Sequence, residues 1–262
     1  MTDSNIIRGL DPMYFDRKRS IEGALTWAGS SSGTPRNAVD VGANVGQTLN
    51  AFVGWWPGIQ VLSLEPLQEA FARLQILASK IGDQSEIANV GVSDKPGSLT
   101  LNASKTQSTN SSFKKFNKSA ETVKAHRGLR GRPSHLELGD EDDYQTEVLV
   151  DTLDNILGPN SSFRSAKLCS KIGLDLLKID TQGWELRVLN GAKDVLSNTQ
   201  VVLTEWQFDD LYGTPPPLHE LDKNLSEHGF RLWDVSHIYK DLNQMRTLWI
   251  DLVYVKPNRN RE

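Results

Sequence analysis

From Asn37 onward, short apolar runs alternate with longer stretches in which apolar residues recur every three or four positions. Runs of the first kind suit buried strands and stretches of the second kind amphipathic helices, so their alternation predicts an α/β domain with a mostly parallel sheet. Strands are expected at Asn37 to Val41, Ile59 to Leu64, Ile87 to Val92, Gly173 to Ile179 and Val201 to Glu205, with alternating strands at Ser98 to Asn102 and Tyr144 to Val150. Leu49, Phe52, Val53 and Trp56 form one helical stripe, stopped by Pro57 and Gly58. Leu67, Ala70, Phe71, Leu74, Leu77 and Ile81 form a second, opened by Pro66 and closed by Gly82. A short helix follows the capping run Asp151 to Asp154, a longer one spans Trp184 to Leu196, and Leu218, Leu221 and Leu225 mark another that ends at Gly229. Phe230 to Val235 and Thr247 to Val255 have no helix between them, so they are expected to pair antiparallel at one edge.

Regularity lapses from Ala103 to Asp143, a stretch rich in Ser, Thr, Asn and Lys that ends in an acidic run. Irregular segments of that length inside a domain are mostly substrate lids or solvated insertions. No repeat or linker divides the chain, so one domain over residues 37–262 is expected, preceded by a helical extension at 1–36 centred on Met13 to Trp27.

Composition narrows the class. The 262 residues carry 29 Lys+Arg against 33 Asp+Glu, a formal charge of 29 − 33 = −4, which argues against a globally basic nucleic-acid binder. The single cysteine, Cys169, leaves neither a disulfide framework nor a Cys-rich zinc site, and no metal is expected. The first residues have acids where a secretory signal is basic, and no run approaches the length of a membrane span. A soluble protein of the reducing cytoplasm is the expectation.

The polar ends of consecutive strands carry the chemistry. Asp40, Glu65 and, less clearly, Asn89 fall at the carboxyl edge of the expected sheet, where open α/β folds bind ligands. The turn Asp40-Val-Gly-Ala-Asn-Val-Gly46 leads into a helix, whose N-terminal N–H groups can receive a carboxylate or phosphate. Gly42 and Gly46 allow close backbone approach to a ligand and helix packing. Glu65 comes 19 residues after Gly46, a fitting interval for an acid that accepts hydrogen bonds from ribose hydroxyls. A dinucleotide fingerprint counted from Gly42 needs glycines where Asn44 and Gln47 stand. Asp40 would repel a pyrophosphate and attract an ammonium or sulfonium group, and S-adenosylmethionine carries both.

These residues resemble the FkbM family of S-adenosylmethionine-dependent methyltransferases, within the Rossmann-like class I methyltransferase fold. The resemblance rests on DVGANVGQT at 40–48, LEP at 64–66, NVGVSD at 89–94, NSSF at 110–113, TLD at 152–154, LLKIDTQGWELRVLNGA at 176–192 and LTEW at 203–206. It implies a seven-stranded mixed sheet with helices on both faces. It also implies that Asp40, Gly42, Ala43, Asn44 and Gly46 line the methionine part of the cofactor, Glu65 the ribose, and Gly91 with Val92 the adenine. Thr48, Pro66 and Asn89 complete the expected cofactor set. Asp180 is implied beside the reactive methyl group, with an acceptor that is a hydroxyl of a sugar, glycolipid or natural product. The family's usual acid in Asp-x-Glu-Gly is Gln182 here.

Methyl transfer is an in-line displacement helped by alignment and by a base that removes the hydroxyl proton. Asp180, Glu205 and the loop histidines His126 and His135 are the candidates for that base. Asp180 could instead cap the helix near Trp184, Glu205 could end a strand in a salt bridge, and the histidines could be solvated. Seven cations between Lys114 and Arg132, against Glu121 alone, form either a solvated face or a clamp for an anionic acceptor. Trp206, Phe208, Tyr212 and the prolines at 215–217 could wall the acceptor pocket or pack the helix that follows. Two rival readings are a nicotinamide-dependent oxidoreductase and a non-catalytic module that binds S-adenosylmethionine without turnover.

Overall fold

In the computed structural model the described residues are 12–104, 111–115, 117, 143–208, 212–241 and 246–257. Helix α1 (Pro12–Trp27) precedes β1 (Asn37–Val41), α2 (Gln47–Trp55), β2 (Gln60–Leu64), α3 (Gln68–Ile81) and β3 (Ser85–Ala88). Next come β4 (Gly91–Val92), β5 (Gly97–Ser104), β6 (Asp143–Asp151), α4 (Leu153–Ile156), α5 (Arg164–Ile172) and β7 (Leu174–Ile179). The remainder is α6 (Glu185–Asn190), α7 (Lys193–Ser197), β8 (Thr199–Gln207), α8 (Leu218–Glu227), β9 (Arg231–Asp241) and β10 (Arg246–Val255).

Seven strands form one sheet in the order β3-β2-β1-β7-β8-β10-β9. The first five are mutually parallel, and β10 runs antiparallel to both β8 and β9, so the expected mixed sheet and its antiparallel edge pair are both present. Every residue of β1 and of β7 is buried, as a parallel strand covered on both faces requires. Side chains alternate between two layers. Ala38, Val61, Leu176 and Val201 pack with Ile21, Leu25, Leu49, Phe52 and Leu74 from α1, α2 and α3. Val39, Leu62, Leu177 and Val202 pack with Val188, Leu189, Leu196, Leu221 and Leu225 from α6, α7 and α8. The N-terminal helix is therefore part of the core, lying across β8, β9 and β10.

Three expectations change. The third strand is split, because β3 ends at Ala88 and Gly91–Val92 joins β6 and β5 in a second sheet ordered β4-β6-β5. Asn89 Nδ2 donates to the carbonyls of Glu65 and Pro66, which turns the chain out of the large sheet. The helix expected over Trp184 to Leu196 is two short helices. A Cβ at Gly191 would lie 2.2 Å from the Ser93 carbonyl oxygen, and α7 restarts under a cap from Asp154 Oδ1, which accepts from Asp194 N and Val195 N at 3.0 Å. The last two strands also run further than expected, to Asp241 and from Arg246, since each finds its ladder in the other. Of the irregular stretch from Ala103 to Asp143, residues 105–110, 116 and 118–142 lie outside the described residues.

Candidate functional site

The carboxyl edge of the large sheet gathers the expected residues around the turn after β1. Asn44 (φ 49°), Gly42 (φ 80°) and Gly46 (φ 95°) all take left-handed backbone, which bends the chain sharply from strand to helix. A Cβ at Gly42 would stand 2.0 Å from the Asp180 carbonyl oxygen, and one at Gly46 would stand 2.6 Å from Leu77 Cδ2. Both glycines thus serve close packing within the protein, Gly42 against the end of β7 and Gly46 against α3. Gly42 N and Ala43 N both donate to the Leu64 carbonyl, tying the turn to β2. Gly46 supplies no side-chain cap to α2, so the N–H groups of its first turn, around half-buried Thr48, have no capping side chain.

Glu65 stands beside that turn. Its Oε2 accepts from Asn44 N and its Oε1 from Leu67 N, both at 2.8 Å, so each oxygen keeps a lone pair for a further donor. Burial pushes the Glu65 carboxyl up to about 7, against the pull of those two backbone donors. Pro66 and Asn89 complete the bend, while Gly91 and Val92 are buried, Gly91 against Phe113, whose ring lies 5.4 Å from that of Trp184.

Asp40 alters the electrostatic picture. The sheet register sets it opposite Lys178 on β7, and Lys178 Nζ lies 2.9 Å from Asp40 Oδ1. Asp40 is fully buried and Lys178 nearly so, which makes the pair an internal one. The expected attraction of Asp40 for a cationic ligand is therefore already answered from within the chain. Burial raises the Asp40 carboxyl and Lys178 opposes the rise. Burial alone would depress the Lys178 ammonium, but Asp40 and Asp180 reverse this and hold it above its ordinary value. Lys178 Nζ also donates to the Gly42 carbonyl at 3.3 Å and lies 3.5 Å from Asp180 Oδ2. It links the turn after β1 to the end of β7, a role missed in the sequence although it stands two residues before Asp180.

Asp180 and Glu205 come together through amides. Gln182 Nε2 donates to Asp180 Oδ1 at 2.9 Å and to Glu205 Oε1 at 3.3 Å, while Gln207 Nε2 donates to the same Glu205 oxygen at 3.0 Å. Gln182 Oε1 accepts from Tyr212 Oη at 2.9 Å and from Gln207 Nε2 at 3.2 Å. Burial, then the nearby Asp180, Asp251 and Glu185, raise the Glu205 carboxyl well above its ordinary value. Asp180 does not cap the following helix. That turn is held by Glu185 Oε1, which accepts from Thr181 N at 3.0 Å and Gly183 N at 3.1 Å. The salt bridge considered for Glu205 is likewise not its arrangement here: its neighbour in register, Asp251, holds the ion pair instead, with Arg17 of α1 donating from Nε at 2.7 Å. Arg17 was not anticipated, since nothing local in the sequence ties α1 to β10.

Trp206 belongs to the core, packed among the helices of one face. Tyr212 is buried with its hydroxyl on Gln182, and Phe208 is partly exposed. His126, His135 and most of the basic run lie outside the described residues. Among the described residues, no group of three His, Cys, Asp or Glu is arranged to hold a metal ion, and no helix is long and apolar enough to cross a membrane.

The sheet order and the ligand edge at the turn after β1 define an α/β protein of the class I methyltransferase fold. The methyltransferase FkbM domain model matches residues 40–232, and the chain belongs to that family. This membership removes the nicotinamide-dependent oxidoreductase reading. A curated relative, the 2-O-methyltransferase NoeI of Sinorhizobium fredii, is 25% identical over 186 residues, which are 70% of this chain and 68% of the relative. Among solved structures, EvdMO1 is similar at TM-score 0.42 and 14% identity over 99% of this chain, which spans only 44% of that protein. Burkholderia thailandensis 1,6-didemethyltoxoflavin-N1-methyltransferase is similar at TM-score 0.43 and 9% identity, covering 93% of this chain and 81% of that one.

Proposed function

We propose that the protein is an S-adenosylmethionine-dependent O-methyltransferase whose acceptor is a hydroxyl on a sugar, glycolipid or related small molecule. The observation that carries the reading is the placement of Asp180 and Glu205 on neighbouring strands, with Asp180 packed against the turn that would hold the cofactor. The residues present suit that cofactor. The uncapped start of α2, with Thr48, can receive its carboxylate beside Ala43 and Asn44, while Asp40, fully buried against Lys178, braces the turn from beneath. The lone pairs left on Glu65 can accept from a ribose diol next to Pro66, and Asn89, Gly91 and Val92 form the adenine end.

The cofactor supplies a methyl group activated by a positive sulfonium. The chain's own part is alignment and proton removal. Asp180, whose Oδ1 is held by Gln182, offers Oδ2 near Lys178 to take the acceptor's proton. Glu205, raised by burial, is suited to donate a hydrogen bond to an acceptor hydroxyl and to fix its angle of approach. Residues 37–262 are read as the catalytic unit, with 1–36 bracing it through α1, in a cytoplasmic setting. The relative NoeI is a 2-O-methyltransferase, which supports oxygen as the acceptor atom.

Incubation with methyl-labelled cofactor and a panel of sugars, glycolipids and polyketide alcohols tests the reading. Label transfer to oxygen, mapped by mass spectrometry, is expected. Cofactor binding by calorimetry with no transfer to any acceptor would favour the non-catalytic module, the alternative raised by Gln182 standing in place of an acid.

A further inference from the structure

Gln182 is the best-connected side chain of the site, and its carboxamide has no capacity to spare. Both Nε2 hydrogens go to carboxylates, Asp180 Oδ1 and Glu205 Oε1, and both lone pairs of Oε1 are taken by Tyr212 and Gln207. Its backbone is held as firmly: the Gln182 carbonyl accepts from Ser112 Oγ at 2.7 Å, and φ is 53°, a left-handed value that a non-glycine residue rarely adopts. A strained residue with every hydrogen-bonding group engaged is one whose orientation the surroundings determine.

We propose that Gln182 is a positioning residue that holds Asp180 and Glu205 as an oriented pair, with Asp180 Oδ2 and Glu205 Oε2 left clear of its amide to meet the acceptor. The inference rests on the methyltransferase reading above for the use of the pair, though not for its geometry. The donors from Gln182 and Gln207 converge on a single oxygen, Glu205 Oε1, which leaves Oε2 as the atom to carry a proton. Asp180 gives only Oδ1 to the amide, and its Oδ2 faces Lys178. A carboxylate in place of the Gln182 amide would face two acids without a proton to share with either.

The charged groups around the pair come from seven elements. Lys178 lies on β7 and reaches Asp40 on β1, while Glu185 opens α6. Asp251 lies on β10 with His237 opposite it on β9, and Arg17 of α1 pairs with Asp251. Lys114, from the 111–115 segment, lies against Gly183. The Tyr212 hydroxyl is neutral and acts as a donor.

Two variants test the assignment by separate effects. Gln182→Glu adds a third acid between two others, so the acidic limb of the kcat/KM profile should move up by about one pH unit. Carbon-13 NMR of Asp- and Glu-labelled full-length protein should show the cluster taking up protons at correspondingly higher pH, whether or not an acceptor is known. Gln182→Asn retains the amide and suits left-handed backbone, which offsets part of the hydrogen bonding it loses, so it should still fold. Its shorter reach should lower kcat roughly ten- to hundredfold while cofactor affinity stays within a few-fold.

If Gln182→Glu leaves both the titration and the pH profile of the parent protein unchanged, and Gln182→Asn keeps its kcat, the inference is overturned. A shifted titration in a protein that methylates nothing would sustain the positioning role and overturn the methyltransferase reading instead. Normal methylation with an unmoved titration would do the reverse.

Discussion

Replacing Lys178 by methionine removes one partner of a fully internal ion pair and leaves the other in place. Asp40 is 0% exposed and Lys178 7% exposed, so water cannot take over the lost interaction. At 2.9 Å and an effective dielectric constant near 20, the attraction is about 6 kcal/mol before desolvation is counted. Breaking a buried pair from one side costs about 3–5 kcal/mol in practice, because the stranded carboxylate must either stay charged without a partner or bind a proton. The second course is open to Asp40, whose carboxyl burial already pushes upward. The sign of the pH dependence follows. A folded-state pKa raised above the unfolded one makes the folded state hold the extra proton, so stability is full below the unfolded value and is lost as pH rises through the folded one. Lys178→Met should therefore unfold in urea with a deficit of about 3–5 kcal/mol at neutral pH that shrinks as the pH is lowered toward 4. Adding Asp40→Asn to Lys178→Met should recover most of the loss, since no charge then remains buried. A deficit below about 1 kcal/mol, independent of pH and unaffected by the second substitution, would refute the internal pair.

Other consequences are as direct. Glu65 must be ionised to accept from two backbone donors and a diol together, and burial raises it to about 7. Calorimetric affinity for S-adenosylmethionine should accordingly weaken as pH falls through about 7, and Glu65→Gln should lose about 1–3 kcal/mol of binding together with that pH dependence. Stability responds in the opposite sense, since the raised carboxyl favours the folded state below the unfolded value and that contribution disappears on the way up to about 7. Asp180→Asn should leave cofactor affinity within a few-fold in calorimetry and slow methyl transfer by roughly 10²–10⁴ in a labelled-cofactor assay if Asp180 removes the proton. Gly42→Ala adds a Cβ 2.0 Å from the Asp180 carbonyl oxygen at φ 80°, so thermal unfolding should show a loss of about 2 kcal/mol or more, with reduced cofactor binding as the turn moves.

What could be read beforehand follows from the range of the interactions involved. Most strand and helix positions were legible because alternating buried strands and helical stripes are local patterns, although α5 (Arg164–Ile172) was not expected, and the carboxyl-edge acids Asp40, Glu65 and Asp180 followed from where those strands end. The break at Gly191 was not legible. The stripe runs on through it, while its causes, the Ser93 carbonyl and the Asp154 cap, come from the residue after β4 and from α4, far away in sequence. Lys178 carries no signal in the sequence, since a lysine in an apolar strand acquires meaning only when the β1–β7 register places it against Asp40. The same register transforms the argument about Asp40: a carboxylate read from sequence as exposed to a cationic ligand is, in the sheet, one end of an ion pair. Arg17 shows the limit most plainly, because its partner Asp251 lies 234 residues away and no spacing rule could join them. The polar centre of the site is thus assembled across strands: Gln182 and Gln207 reach from the turn after β7 and the end of β8 to hold acids that are not neighbours in the chain. The arrangement depends on that assembly more than on the identity of any one acid, since the amide at position 182 donates to the carboxyl groups on both sides of it.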